Sequence, residues 1–473
     1  MTEPSSPIPA EVVAMPNAAT ETIPAVVERL RATFASGRTR SVTWRRSQLA
    51  ALERLLAEHE KDFAAALAKD LGRSATDAWL ADLAPVAAEA RHARKNVEKW
   101  MRPKRVGVPL SAMPARAWYE YEPLGVTLII GPWNYPVFLA LSPLVGSLAA
   151  GNCAIVKPSE HTPTVSAVLA ELLPQYLDAD AIAVVEGAAD ETQALLAQGL
   201  DHAFFTGGPE IGKAVMTAAA AHLTPVTLEL GGKSPAIVTA NANIRSAARR
   251  VAWTKMLNSG QTCVAPDYVL VESSVRDEFL AQLQKALDTF LKDSPKLLPL
   301  VHSRHAGRIE QLLKKSGGRI VRGGNVDVDG AAAELSVVLD PALNSSLMTE
   351  EIFGPILPVV TIDSFDAAIS HVQRGPKPLA VYLFTDNRKE QRRVLDEVSN
   401  GGTVINHLMF QVLVQELPFG GVGNSGMGTY HGKWGFETFS HRKSVVRKAT
   451  WPDPDALYPP YTLFKKWLLR RVF

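Results

Sequence analysis

From residue 125 to residue 404 the chain repeats one pattern: a short apolar run, a turn, an amphipathic stretch, then another apolar run. The first set of runs lies at 126–130, 154–156, 181–185, 203–206 and 226–230, with helical periodicity between them, as at 164–177 and 210–221. Short apolar runs that alternate with helices hide both faces most simply in a parallel, doubly wound α/β sheet. A second set follows, with strands expected at 268–271, 359–362, 380–384 and 403–405 and helices at 244–257 and 278–291. Two α/β domains in tandem are the simplest account, since 473 residues exceed what one ordinary core organises.

The stretch 125–156 holds no charged residue and is longer than the ~20 residues that cross a bilayer. Gly131, Pro132, Asn134, Pro136, Ser142 and Pro143 interrupt it. That turn chemistry argues for strand, loop, helix and strand inside a buried core.

The N-terminal hundred residues read as helices at 23–34, 44–69 and 76–100. Pro103, Pro109, Pro114 and the alternation that ends at Tyr121 then suggest an extended arm or edge hairpin. Residues 1–22 are rich in Pro, Ser, Ala and Glu and lack the apolar centre of a secretory signal, so a frayed tail is expected. A formal net charge of +2 gives no field that would draw nucleic acid. The two cysteines, Cys153 and Cys263, exclude a disulfide framework and suggest a reducing, cytoplasmic compartment. No ligand spacing suggests a metal.

Of the two thiols, Cys153 opens an apolar run and reads as a small core residue. Cys263 ends the polar loop Asn258-Ser259-Gly260-Gln261-Thr262-Cys263, where a thiol is either inert or a nucleophile activated as thiolate. Such a nucleophile needs an oxyanion donor and a base. Asn134, on a strand-to-helix turn, is a candidate donor or a plain turn former. Glu229, in the apolar run 226–230, is a carboxylate placed for use or one paired with Lys233. Gly207 and Gly208 end a strand where a helix starts, which suits a pyrophosphate or is only a turn.

Taken in order, six segments resemble the aldehyde dehydrogenase superfamily: Pro132-Trp133-Asn134-Tyr135-Pro136, Lys157-Pro158-Ser159-Glu160, Phe205-Thr206-Gly207-Gly208, Leu228-Glu229-Leu230-Gly231-Gly232-Lys233, Gly260-Gln261-Thr262-Cys263 and Glu351-Ile352-Phe353-Gly354-Pro355. The segments 417–428, 430–433 and 439–441 are similar to the class 3 branch, which acts on medium-chain, long-chain or aromatic aldehydes. The resemblance implies that Cys263 is the nucleophile, Glu229 the base for the hydrolytic water, and Asn134 with the Cys263 N–H the oxyanion hole. It places Trp133, Lys157, Ser159, Glu160, Gly207, Gly208, Gly212, Glu351 and Phe353 at the cofactor. Tyr135, Thr262, Phe419 and His431 fall at the substrate. NAD is the implied cofactor, with NADP as the alternative, and a homodimer the implied assembly. The implied division is a cofactor domain at 23–105 and 124–230, a catalytic domain at 231–409, a bridging arm at 106–123 and 410–450, and an extension at 451–473. CoA-acylating relatives commonly lack the base, and a non-catalytic scaffold would have lost the cysteine or the asparagine. Glu229, Cys263 and Asn134 are all present.

The last residues, 461–473, form a basic, aromatic amphipathic helix in which Phe464, Trp467, Leu468 and Arg471 share a face. Three readings stand for it: an anionic membrane surface, a cap over the substrate tunnel, or a partner subunit.

Overall fold

The computed structural model describes residues 22–292 and 296–472. Apart from Thr22, the expected tail lies outside the described residues, and so does Phe473.

Five parallel strands make the first sheet, in the order Val226–Leu230, His202–Gly207, Val126–Ile130, Cys153–Lys157, Ile182–Val184. The chain enters at the middle strand, winds outward to one edge, then returns to the other. The strand order therefore reverses between Val126–Ile130 and His202–Gly207, the place where open α/β sheets leave a crevice at the carboxyl ends. Every residue of Val126–Ile130 and Cys153–Lys157 is buried, which explains their unbroken apolar character. The helix Phe138–Ala150 between them is buried along its whole length. The charge-free stretch is thus core, and among the described residues no helix is long and apolar enough to cross a membrane.

One departure matters for the site. Gly426–Met427 adds antiparallel to the outer edge of Val226–Leu230, with Gly426 opposite Glu229. A segment almost two hundred residues away in sequence thus closes the edge that carries Glu229.

The second sheet has seven strands, ordered Arg319–Arg322, Ser336–Leu339, Ile356–Ile362, Tyr268–Glu272, Pro235–Val238, Ala380–Phe384, Gly402–Ile405. All its pairings are parallel except the first. The four-residue strands at Pro235–Val238 and Ser336–Leu339 are too short to show a period, so the sequence did not mark them. Lys104–Val106, Ala115–Pro123 and Ser440–Lys448 form a separate antiparallel sheet.

Two expected helices are broken. Residues 44–69 divide into Val42–Glu58 and Glu60–Leu71 at His59, whose Nδ1 lies 2.6 Å from the Asp62 carboxylate. Residues 76–100 divide into Ala75–Ala78, a π-helical turn Trp79–Leu83, and Ala84–Met101. Pro85 lacks the N–H that would continue the α-helical ladder back to Ala81, so the preceding turn widens. That turn carries Asp82, which the site uses. At the C-terminus, Leu463–Val472 is helical and none of its residues is buried. Phe464 stacks on Trp467 at 6.0 Å, and the Arg471 guanidinium lies 4.2 Å from the Trp467 ring centre.

Candidate active site

The helix Ile244–Met256 ends beside a backbone that L-residues rarely adopt: Asn258, Ser259 and Gly260 have φ of 48°, 55° and 72°. A left-handed non-glycine residue costs about 1–2 kcal/mol, so the surroundings must hold this turn in place. Asn258 Nδ2 donates to Asn134 O at 2.9 Å and to Gln261 O at 3.0 Å. Gln261 Nε2 donates to Pro299 O at 3.2 Å, and its Oε1 accepts from Val301 N at 3.0 Å. A Cβ at Gly260 would stand 2.3 Å from Gly354 O, so only glycine lets the two loops meet. The turn presents Cys263 to a cavity of about 520 Å³. Desolvation pushes the thiol up to about 12, and the carboxyls of Glu351 and Glu229 push in the same direction. The polar loop left the thiol open between inert and activated, and in the folded site burial favours its protonated form.

Asn134 is buried and faces this loop, its Nδ2 donating to Gln261 O at 3.1 Å. One amide N–H remains beside the thiol loop. Two residues that the sequence reading missed hold the asparagine turn. Arg73 donates to Asn134 O and pairs with Asp82, both side chains being buried. Asp82 Oδ1 accepts from Val137 N at 3.0 Å and Phe138 N at 3.1 Å, at the start of the core helix. Removing one partner of a buried pair strands the other charge, so the buckle is strongly position-setting. Tyr135 lies 4.6 Å beneath the Arg73 guanidinium, and its hydroxyl meets Thr262 Oγ1 at 2.7 Å. The asparagine turn and the cysteine loop are thereby joined.

Glu229 is buried, and among the described residues neither of its oxygens has a hydrogen-bond partner. The ion pair with Lys233 is absent: Lys233 pairs with Asp267 and donates to Leu347 O and Glu350 O, each at 2.9 Å. Burial alone raises the Glu229 carboxyl well above its ordinary value. Thr206, its partner across the strands, is also buried with an unpartnered hydroxyl. Both line the cavity that contains Cys263. Orphaned buried polar atoms are costly, and two of them facing one cavity mark its polar end.

Most of the rest of the cavity wall is apolar, with Arg73, Asp77, Asn258 and Lys296 among its other polar members. Phe138, Leu139, Trp253, Met256, Phe290 and Leu413 line it together with Tyr135, Thr262 and Phe419. His431 does not. It stands behind the wall, its Nδ1 donating to Glu89 at 2.9 Å and its ring stacked 4.0 Å from Tyr430 and 5.9 Å from Phe138. Its part is to seat the aromatic wall. The sequence could not separate these places, because Tyr430 and His431 are neighbours whose rings stack, Tyr430 on the cavity side and His431 behind it with a φ of 75°.

The dinucleotide candidates gather at the sheet crevice. A Cβ at Gly207 would meet Phe205 Cζ at 2.5 Å, and one at Gly212 would meet Leu230 Cδ2 at 2.8 Å. Both glycines let the helix Pro209–Ala220 pack tightly over the strand ends, while Gly208 faces open space at its N-terminus. That polarised end suits a phosphate. Lys157 Nζ lies 3.2 Å from Glu160, which is half-exposed, and Ser159 is buried beside them. Across the crevice, Arg308 Nη1 donates to Ile352 O and His305 Nε2 to Phe353 O, each at 2.8 Å. Asp267 Oδ1 accepts from Ile352 N at 2.9 Å. These bonds hold Phe353 at a φ of 48°, with its ring 5.5 Å from Trp133. Desolvation lifts the Glu351 carboxyl to about 8. The residues present fit a nicotinamide dinucleotide: a phosphate seat at the N-terminus of Pro209–Ala220, a carboxylate for ribose hydroxyls and an aromatic edge.

The sequence pattern described as Aldehyde dehydrogenase family matches residues 3–445. The chain belongs to the aldehyde dehydrogenase family. Aldehyde dehydrogenase family 3 member A2 of Rattus norvegicus is 45% identical over 426 residues, 89% of this chain and 88% of that protein. A substrate-bound Staphylococcus aureus AldH superposes with a TM-score of 0.91 at 40% identity, covering 96% of this chain and 100% of that one. A mutant form of the P. syringae indole-3-acetaldehyde dehydrogenase AldA, in complex with NAD+ and IAA, superposes with a TM-score of 0.84 at 27% identity, covering 90% of this chain and 89% of that one. This aldehyde dehydrogenase therefore carries the family's fold, falls with its class 3 members, and is an NAD(P)-dependent oxidoreductase of aldehydes.

Proposed function

We propose that this aldehyde dehydrogenase oxidises an apolar, medium- to long-chain or aromatic aldehyde to its acid, with Cys263 as nucleophile, Asn134 as oxyanion donor and Glu229 as base. The observation that carries the reading is the 520 Å³ cavity, which is walled by aromatic and aliphatic side chains and holds Cys263 and an unpartnered Glu229. Cys263 Sγ adds to the carbonyl carbon as its proton passes to solvent, which leaves the Glu229 carboxylate free for the later hydrolysis. Asn134 Nδ2 and the Cys263 N–H hold the oxyanion. NAD(P), when bound, supplies the hydride acceptor for the oxidation. Glu229 then takes a proton from the water that hydrolyses the thioester on Cys263. Trp133, Lys157, Ser159, Glu160, Gly207, Gly208, Gly212, Glu351 and Phe353 are the residues that would hold the dinucleotide. The proposed division of labour assigns 23–105 and 124–230 to the cofactor, 231–409 to catalysis, and 106–123 with 410–450 to the arm.

Glu229→Gln tests the base. It is expected to leave acylation fast and slow deacylation, giving a burst of NADH followed by a steady state lower by about tenfold or more. Because burial raises the carboxyl, its ionised fraction grows with pH, so wild-type deacylation should climb with pH while the variant stays flat. The sign for stability is opposite. A carboxyl raised on folding contributes stability below its unfolded value, and that stability is lost as pH rises toward the folded one. The variant should therefore gain Tm over wild type at pH 8 and match it at pH 4. An unimpaired steady state would remove Glu229 from the role.

NAD is the preferred cofactor in this reading. Glu160 can accept from a ribose 2′-hydroxyl and would repel a 2′-phosphate, with Lys157 softening that repulsion. The expected kcat/KM is higher with NAD, and a higher value with NADP would overturn the preference.

The assembly proposed is a homodimer with membrane affinity at its C-terminal helix. Supporting it are the individually exposed Ile211, Met216 and Leu223, on and just after Pro209–Ala220, and the open strand Ser440–Lys448. The helix Leu463–Val472 carries exposed Leu463, Phe464 and Trp467 among Lys465, Lys466, Arg470 and Arg471, the make-up of an interfacial helix. Deleting residues 461–473 should leave the dimer intact by light scattering and lower co-sedimentation with anionic vesicles. Unchanged vesicle binding would reduce the helix to a surface appendage.

A further inference from the structure

Along one face of the helix Ile244–Met256 stand Arg245, Arg249, Trp253 and Met256, at spacings of four, four and three. The lower two line the cavity of Cys263. The upper two line a second hollow of about 190 Å³, closed by Gln282, Lys285, Thr289 and Phe290 of the neighbouring helix Arg276–Phe290. Phe290 is common to both walls, and the Arg249 guanidinium lies 6.0 Å from its ring centre. The two spaces are therefore adjacent, with Arg249 and Met256 about 10 Å apart along the helix at ~1.5 Å per residue.

The described lining of the hollow holds three cations and no carboxylate. Of the carboxylates on the same helix, Asp277 pairs with Arg276 at 2.8 Å and Asp288 with Arg322 at 2.6 Å, while Glu278, four residues before Gln282, is not part of the lining. Three like charges around one hollow repel one another unless an anion joins them, and arginine forks match phosphate oxygens. The mouth of the neighbouring cavity is ringed by Leu80, Trp253, Phe410 and Leu413, all exposed. Exposed apolar side chains of that size, set beside unpaired basic ones, fit a surface made of chains and phosphates.

We propose that the cavity mouth docks on anionic phospholipid, with a headgroup phosphate seated among Arg245, Arg249 and Lys285. The aldehyde then passes from the lipid along Trp253 to Cys263. This rests on the reading of the cavity as an apolar aldehyde site. Arg245, Arg249 and Lys285 are distinct in sequence from the basic residues of the C-terminal helix Leu463–Val472.

The experiment uses the full chain and its Arg245→Glu/Arg249→Glu variant, both with the C-terminal helix intact. Vesicles of phosphatidylcholine, with and without phosphatidylglycerol, are pelleted with each protein. Wild type should pellet preferentially with the anionic vesicles, and the variant should bind them about tenfold more weakly. Decanal loaded into anionic vesicles should be oxidised more slowly by the variant, while kcat/KM for soluble butanal stays within about twofold of wild type, which also shows that the variant is folded. Equal pelleting of the two proteins overturns the proposal. So does a wild type whose Tm rises with inorganic phosphate, lost in the variant, when anionic vesicles pellet both alike: the hollow is then a seat for free phosphate. If wild type oxidises neither butanal nor decanal in free solution, the cavity reading fails instead, and pelleting reports on the hollow regardless.

Discussion

Replacing Cys263 by alanine is expected to lower kcat for aldehyde oxidation by about four orders of magnitude or more, while NAD binding persists. The loss is this large because the thioester route needs a thiol at the cavity, and the other thiol, Cys153, is a fully buried strand residue in the first sheet. The dinucleotide crevice is built from Lys157, Gly207–Gly212 and the Glu351–Phe353 loop, so truncating one thiol leaves it standing. Rapid-mix measurement of NADH and cofactor titration by fluorescence separate the two effects. The resting state of the thiol supplies a second readout. Held at about 12, Cys263 should react slowly with iodoacetamide at neutral pH and gain about tenfold per pH unit in the alkaline range. The alanine variant should show no alkylation at this site. Turnover within tenfold of wild type would contradict the assignment, whereas a wild-type thiol that alkylates rapidly and independently of pH would contradict only its raised resting value.

Asn134→Ala comes next in size, with an expected fall in kcat of about two to three orders of magnitude and little change in Tm or NAD affinity. The magnitude is that of one oxyanion donor removed from a site shielded from water. The amide is already aimed before substrate arrives, because its turn is tied to Asn258, Arg73 and, through Tyr135, Thr262. Preorganisation of this kind acts in the transition state, so kcat should fall and KM stay nearly constant. Asn134→Asp should be at least as poor, since a carboxylate would repel the oxyanion. A fall below threefold for the alanine variant would exclude the role.

Much of the architecture was legible in the chain itself. The buried strands Val126–Ile130, Cys153–Lys157 and Val226–Leu230 are uninterrupted apolar runs because both their faces are covered. The motifs around Asn134 and Glu229 sit at strand ends, where side chains of an α/β sheet reach its crevice, and that of Cys263 in the polar loop after the helix Ile244–Met256. What escaped was short or irregular. Pro235–Val238 and Ser336–Leu339 have too few residues for a period, and the break at His59 falls inside an otherwise continuous helical pattern.

The chain by itself determined the alternation of strand and helix, the family and the candidates proposed as reactive side chains, because these depend on residue type and short-range spacing. Tertiary structure alone decided what those side chains experience. Arg73 and Asp82, from the helical N-terminal region, hold the asparagine turn. Gly426 closes the edge strand opposite Glu229, and Phe419 reaches the cavity from the same distant segment. Lys233 turns to Asp267 and leaves Glu229 alone. His431, one residue from the cavity wall, is rotated behind it. Desolvation then holds Cys263 as a thiol and raises Glu229. Exclusion of water and pairing across hundreds of residues are properties of packed volume, and no local pattern along a chain encodes them.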